Sequence, residues 1–241
     1  MFIYNNSSIR KDRKDIVALL RKYGGKANNY DKNGNEVEGG KGDLNDILND
    51  ANDALSLTRA YQLQYPEGAP LVLACEKGRL EDVRMLVEGH DVEKTGMSLD
   101  EMVSKEGKNR DGYSITPLQQ AANKEQFEIV QFLVTTCTNK VGIIGQTNRI
   151  GVSSLHYAAS GSKKNVQTLQ FLIDNYNGKD IKTIINQKDK YGSTPLDYAY
   201  AFNDSPIKNE IVSLLRKYGG KANCFDKNGN NVGEGKGDLN D

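Results

Sequence analysis

Apolar residues recur at helical spacing in short segments that come in pairs, and the clearest pair lies within residues 189–220. A turn at 189–192 precedes a helix that begins at Thr194 and Pro195, a residue that caps the first amides and one that needs no hydrogen bond there. Neither helix alone can bury its apolar face, so the pattern predicts stacked neighbours of the same kind. The second helix ends at Gly219-Gly220 and carries its apolar residues on one face: Ile211, Leu214, Leu215 and Tyr218.

The same order of a first helix, a turn and a second helix occurs four times along the chain. The first helices begin near residues 69, 116, 153 and 194, and the second helices contain the segments LEDVRMLVE, FEIVQFLV, VQTLQFLID and IVSLL. Because the intervals between these starts are unequal, we expect a solenoid whose connections differ in length.

These segments resemble the ankyrin repeat, whose pattern runs from a D-x-x-G turn through T-P-L-H-x-A-A to a second helix with I-V-x-x-L-L and a glycine. The four units have, in order, PLVLA, TPLQQAA, LHYAA, and TPL with IVSLL, over about residues 68–223. The resemblance implies an all-α ankyrin-repeat solenoid of stacked helix-turn-helix units with hairpin or extended finger loops. It also implies a non-enzymatic module that binds proteins.

The histidine of the family pattern is present only as His156. Val72, Gln119 and Asp197 stand at that position in the other units. We therefore expect the hydrogen bonding that the family makes there to be incomplete.

Three connections between units are longer than a family hairpin: residues 91–111, 138–151 and 175–189. In the first, Ser98 and Glu101 have the spacing of a capping box, which predicts a one-turn helix through the residues that follow. We expect the isoleucines and valines of these connections to pack them onto the stack, although loops also carry much of protein function.

A segment near each end of the chain is nearly the same. Residues 15–46 and 210–241 align without gaps and differ at 7 of 32 positions, so that 25 are identical. Three interpretations stay open. Residues 15–46 are a half repeat that caps the stack; or the chain is a slice of a longer protein with a 195-residue period; or either end docks on the same surface, so that chains join head to tail.

The predicted organisation of the chain has six segments. They are a loose N-terminus (1–14), a half repeat with capping helices (15–64), repeat 1 with a long finger (65–110), repeat 2 (111–150), repeat 3 (151–188), and repeat 4 with a C-terminal cap and a Gly/Asn-rich tail (189–241).

Charge and composition argue against several classes of protein. The 32 basic and 32 acidic side chains give a formal net charge of zero, so no charge excess favours nucleic acid or a membrane surface. No apolar run approaches the roughly 20 residues of a membrane span, and the first residues lack the order of a signal peptide. Three widely spaced cysteines indicate reduced thiols. We therefore expect a cytoplasmic protein.

Two features raise the question of metal binding. The sequence DKNGN at 31–35 and at 226–230 has the first oxygen ligands of a calcium loop, but the later Gly and Glu of that loop are missing, so a hairpin turn is favoured and calcium binding stays open. His90 and His156 lie near no cluster with zinc spacing. We expect no metal, no cofactor and no catalytic residue.

The resemblance to ankyrin repeats implies that the protein binds a partner protein through the concave face that inner helices and fingers form in that family. An alternative is a self-assembling structural protein joined through residues 15–46 and 210–241. Tyrosine and arginine are the side chains that most often anchor interfaces, although the inner-helix tyrosines are equally suited to packing between repeats. The candidate residues are Leu73, Gln120, Tyr157 and Tyr198 on the inner helices, Asn123, Lys124 and Phe202 near the helix ends, and Tyr113, Arg149 and Tyr191 on the fingers.

Overall fold

The computed structural model of this protein describes residues 57–58, 69–161, 163–178, 180–202 and 207–238, without the side chains of Lys94, Lys163, Lys164 and Phe202. The predictions for 1–14 and 15–46 lie outside the described residues, and so does the candidate side chain of Phe202. Glu67–Asp241 is one compact unit, and the fold below is the fold of that unit.

Each of the four predicted units forms a pair of packed helices. The inner helices pack against one another in chain order, and so do the outer helices, which confirms the all-α solenoid. The inner helices are α1 (Pro70–Lys77), α5 (Pro117–Asn123), α8 (Ser154–Ala159) and α11 (Pro195–Phe202), and the outer helices are α2 (Leu80–Glu88), α6 (Phe127–Thr136), α9 (Lys163–Asn175) and α12 (Lys208–Lys217).

Capping side chains determine where the inner helices begin. At the start of α5, the hydroxyl of Thr116 accepts a hydrogen bond from the amide of Gln119, and the side chain of Gln119 accepts one from the amide of Thr116. Thr194 and Asp197 exchange the same two bonds at the start of α11. These bonds satisfy amides that an isolated helix end leaves unpaired.

The core lies between the two layers of helices and repeats the same positions from unit to unit. Leu118, Leu155 and Leu196, each the second residue of an inner helix, are at most 1% exposed. Burial of each such side chain stabilises the fold by about 1.5–3 kcal/mol. The alanines of the next turn, Ala121 and Ala158 among them, are fully buried and let neighbouring inner helices approach closely.

The long connections contain short helices, and the fingers end in hairpin-like tips. The helix predicted after Ser98 is confirmed and carries its capping box. Three further short helices were not predicted, because four to six residues are too few for a helical period to show. The elements are α3 (Val92–Thr95), α4 (Leu99–Ser104), the antiparallel pair β1 (Gly107–Lys108) and β2 (Ser114–Ile115), α7 (Lys140–Gly145) and α10 (Ile181–Ile185).

Apolar residues hold these connections against the stack, as the sequence predicted. Ile143 and Ile144 of α7 and Ile184 and Ile185 of α10 are at most 4% exposed. The two fingers that follow α7 and α10 therefore begin from packed helices, which limits how far their tips can move.

Candidate functional site

The tips of the four described fingers are the same turn, built on an asparagine or an aspartate. In each, the side-chain oxygen Oδ1 accepts hydrogen bonds from the amides two and four residues later. The glycine three residues later has φ between 78° and 81°, a backbone conformation that glycine adopts without strain. The four anchor residues are Asn109, Asn148, Asp189 and Asp226.

This turn explains the calcium-like spacing at 226–230. Oδ1 of Asp226 accepts from the amides of Asn228 and Asn230, and its Oδ2 accepts from Asn230 Nδ2 at 3.0 Å. The Asn230 side chain, and then these amides, lower the pKa of Asp226 below its usual value by stabilising the carboxylate. Among the described residues, no group of three or more His, Cys, Asp and Glu side chains could hold a metal ion.

The third residue of an inner helix ties its repeat to the finger that follows. Gln119 Nε2 donates to the carbonyl of Gln146 at 3.0 Å, and His156 Nε2 lies 3.1 Å from the carbonyl of Ser193, to which it donates. The amide of the glutamine therefore replaces the imidazole as a donor. The expectation of missing hydrogen bonds was wrong at Gln119.

In the fourth repeat, the residue at this position accepts hydrogen bonds instead of donating one. The carboxylate of Asp197 accepts hydrogen bonds from the amides of Asn223 and Cys224, both at 2.8 Å. Because a carboxylate accepts where an imidazole donates, the chain that follows presents amides instead of a carbonyl. The expectation was wrong here as well, and it holds for Val72, whose side chain has no polar atom.

His156 is a neutral structural residue. Its Nδ1 accepts from the amide of Ser153 at 3.1 Å, so the proton is on Nε2, where Ser193 accepts it. Burial lowers the pKa of His156 from 6.5 to about 4, because the charged form loses its hydration, and the carbonyl of Ser193 offsets only part of this effect. The ring of His156 meets that of Tyr198 in a T-shaped arrangement, with 5.0 Å between the centroids.

Two of the candidate residues on the inner helices are not on the surface. Leu73 and Gln120 are fully buried, so the prediction that they are exposed was wrong. Their helices α1 and α5 pack directly against each other, and side chains at this position lie within the stack. They are therefore inaccessible to a partner in this structure.

The two inner-helix tyrosines are half-buried and contact the anchor residues of their own fingers. Tyr198 donates its hydroxyl proton to Asp189 Oδ2 at 2.9 Å, and Asn148 Nδ2 lies 3.5 Å from the hydroxyl of Tyr157. Burial raises the pKa of both phenols. These side chains support the fingertips from below.

The finger candidates lie on the outside. Tyr113 and Tyr191 are 70% and 62% exposed, and the side chain of Arg149 is 82% exposed, with its Nε 3.5 Å from Glu106 Oε2. Such an exposed ion pair contributes little to stability. The three side chains are therefore accessible to a partner.

The two candidates at the end of α5 differ in their surroundings. Asn123 is exposed. Lys124 Nζ lies 3.9 Å from Oε1 of Glu76, a buried carboxylate that also accepts from Arg110 Nε at 3.0 Å. This pairing of repeats 1 and 2 was not predicted, because its three residues lie far apart in the sequence.

Comparison with known families shows to which family the chain belongs. A family model described as ankyrin repeats (3 copies) matches residues 71–184 and 118–228, which together span more than half of the sequence. The chain belongs to the ankyrin-repeat family. Proteins of this family are generally protein–protein interaction modules and typically non-enzymatic scaffolds. A search of curated proteins finds no match.

The site of this ankyrin-repeat protein contains a regularity that sequence reasoning missed. The pattern Asn/Asp, then Arg/Lys, any residue and Gly occurs at 109–112, 148–151, 189–192 and 226–229, and each occurrence is a fingertip turn. The turns at 189–192 and 226–229 were predicted from the sequence, whereas those at 109–112 and 148–151 were missed, although the shared spacing was a sufficient signal. In the described part of the chain, no helix is long and apolar enough to cross a membrane.

The buried neutral His156 predicts a loss of stability in mild acid. The imidazole of the unfolded chain binds a proton near pH 6.5, whereas that of the folded chain does so only near pH 4. The contribution of neutral His156 to the free energy of unfolding is therefore complete above pH 6.5. It falls as the pH drops towards 4, by about 3 kcal/mol at most. Urea unfolding at pH 7, 6 and 5 measures it. In His156→Gln, which copies Gln119, the free energy of unfolding should change less between pH 7 and pH 5. If this pH dependence were the same as in the unmodified protein, His156 would not be its cause.

Proposed function

We propose that this ankyrin-repeat protein binds a partner protein through its fingertips. The observation that carries the proposal is the exposure of two aromatic side chains there. Among the described residues, the large apolar side chains that are most exposed are Val92, Tyr113 and Tyr191, and both tyrosines belong to fingertips. Aromatic side chains are typical anchors of protein interfaces, because they bury a large area with few rotatable bonds.

The turn geometry favours binding because the tips are held before a partner arrives. The anchor oxygens of Asn109 and Asp189 accept hydrogen bonds from the amides of Tyr113 and Tyr191, respectively. A side chain on a fixed backbone loses less conformational entropy on association than one on a free loop.

Cationic side chains place positive charge along the row of fingertips. The residue after each anchor is basic and exposed in all four described fingers. Complementary charge speeds encounter and selects among partners, so a partner with acidic side chains along the row of fingers fits this surface. The four residues are Arg110, Arg149, Lys190 and Lys227.

The remaining candidate residues contribute less directly to the proposed binding surface. Asn123 and Lys124 extend the surface at the end of α5. Tyr157 and Tyr198 act through the fingertips that they support. We assign this protein no catalytic role.

Removal of the three fingertip side chains should weaken partner capture. In Tyr113→Ala/Arg149→Ala/Tyr191→Ala, we expect at least a tenfold loss of affinity, because interface anchors each contribute more than about 1 kcal/mol. Quantitative mass spectrometry of proteins captured from the source cell, followed by calorimetry with the main partner, measures this loss.

The matched control is a triple alanine variant at Glu128, Gln131 and Thr135, which are exposed on the outer helix α6. The control variant should capture the same partners as the unmodified protein. The fingertip variant and the control variant should both have the melting temperature of the unmodified protein. Equal affinity of the fingertip variant and the unmodified protein would contradict the proposal.

A second candidate function is self-assembly through residues 15–46 and 210–241. It is favoured by the 25 identities in 32 positions and by the hydrogen bonds that the second copy makes with repeats 3 and 4. Identity retained at contact positions is what a shared docking surface requires.

Self-assembly predicts that the mass in solution rises with protein concentration. Light scattering over a wide concentration range measures it, and deletion of residues 1–46 should leave a monomer. A full chain that stays monomeric at high concentration would exclude this function.

A further inference from the structure

The described part of the C-terminal copy, residues 210–238, comprises most of the last outer helix and the finger that follows it. It lies on a surface formed by α10, α11 and their flanking residues, which we call the socket. The socket residues are Lys182, Ile185, Asn186, Thr194, Asp197 and Tyr200.

The socket recognises the copy mainly through its backbone. Asn186 Nδ2 donates to the carbonyl of Gly219 at 3.0 Å, and Asn186 Oδ1 accepts from the amide of Lys221 at 2.7 Å. Thr194 Oγ1 donates to the carbonyl of Lys221 at 2.8 Å. Asp197 completes the set with the amides of residues 223 and 224.

Close packing leaves little room for a side chain at two glycines of the copy. A Cβ at Gly220 would lie 2.8 Å from the carbonyl oxygen of Leu215 and 3.1 Å from Ile185 Cγ2. A Cβ at Gly219 would lie 3.2 Å from Lys182 Cε. A side chain at Gly220 would therefore clash with the end of its own helix and crowd Ile185 of the socket, and Gly219, with φ of 84°, has a conformation that favours glycine.

Side chains of the copy also stabilise its position. Arg216 contacts Asp238 and donates towards the hydroxyl of Tyr200, and Asp238 Oδ1 accepts from the amide of Ala222 at 2.7 Å. The ring of Phe225 lies against that of Tyr200, with 5.3 Å between the centroids. The finger is thus held to the last repeat at both of its ends.

The N-terminal copy has the same residue at nearly all of these positions. Positions 216, 218–223 and 238 correspond to 21, 23–28 and 43, and all eight pairs are identical. The socket contacts position 224 through its amide, so Asn29 in place of Cys224 keeps the bond. Tyr30 in place of Phe225 keeps an aromatic ring.

The other positions at which the two copies differ make none of the socket hydrogen bonds described above. Glu210, Ser213, Asn231 and Glu234 are exposed. Gly233, with φ of 90°, is replaced by Glu38, which would be strained in that conformation by about 1 kcal/mol. A single mismatch of this size is small beside the contacts that the two copies share.

We propose that residues 15–46 of one chain occupy the socket of a second chain in place of its residues 210–241. This inference rests on the self-assembly proposed above and names its contact. Because the contact positions match, the socket of the second chain can form the same backbone hydrogen bonds with this segment. Exchange of equivalent elements between chains has a low free-energy cost, and concentration then decides its extent.

A photo-cross-linker at position 182 tests the exchange. Lys182 is exposed and lies beside Gly219, so benzoylphenylalanine there reaches whichever copy fills the socket. Full-length chains that carry it are labelled with ¹⁵N and mixed with unlabelled chains that lack it. Cleavage before aspartate then separates residues 15–30 from residues 204–225 by mass.

The expected product joins a labelled chain to residues 15–30 of an unlabelled chain. Gly25→Val, which copies the clash described at Gly220, should reduce this product about tenfold, as a steric penalty of about 1.4 kcal/mol implies. Ala18→Ser, which copies Ser213, should leave it unchanged.

Two results would overturn the proposal. One is cross-linking to residues 204–225 alone, and the other is cross-linking to 15–30 only within a single chain. If light scattering still shows assembly in either case, self-association stands and this contact fails. If the chain is monomeric throughout, both fail.

Discussion

In the second, third and fourth units, a hydrogen bond joins the third residue of the inner helix to the backbone of the next finger, and the arrangement of the fingers depends on this interaction. The inner helices have only six to eight residues, and isolated helices of that length are unstable in water. Each must be fixed by its neighbours. Gln119, His156 and Asp197 do this with three different chemical groups, whereas Val72 in the first unit has no polar atom to make such a bond.

The fingertips follow from that constraint. Because three of the described fingers are bonded close to their tips by the preceding inner helix, each tip can be fixed by a single side chain, as Asp189 does with the amides of Tyr191 and Ser193. Tyr198 supports the same carboxylate from below. The exposed tyrosines and cations are therefore displayed on fixed backbone, which is the property that a binding surface needs.

Much of the fold could be predicted from the sequence, because local signals are strong where they repeat. The helix pairs followed from apolar spacing, and the start at Thr194-Pro195 followed from capping. What depends on distant residues could not be predicted. Leu73 and Gln120 were expected on the surface because position along a helix does not reveal how closely the next helix packs. Asp197 was expected to leave its partner unsatisfied because its donors, at 223 and 224, lie in the following finger.

Hydrogen exchange in Asp197→Asn tests the central interaction most directly. This variant keeps the size of the side chain but removes the carboxylate that accepts from two amides at 2.8 Å. The account predicts that amides of residues 221–238 exchange at least tenfold faster, as loss of about 1.4 kcal/mol of local stability implies, while α1 to α8 keep their protection. Unchanged exchange in 221–238 would contradict the claim that this bond holds the finger to the stack.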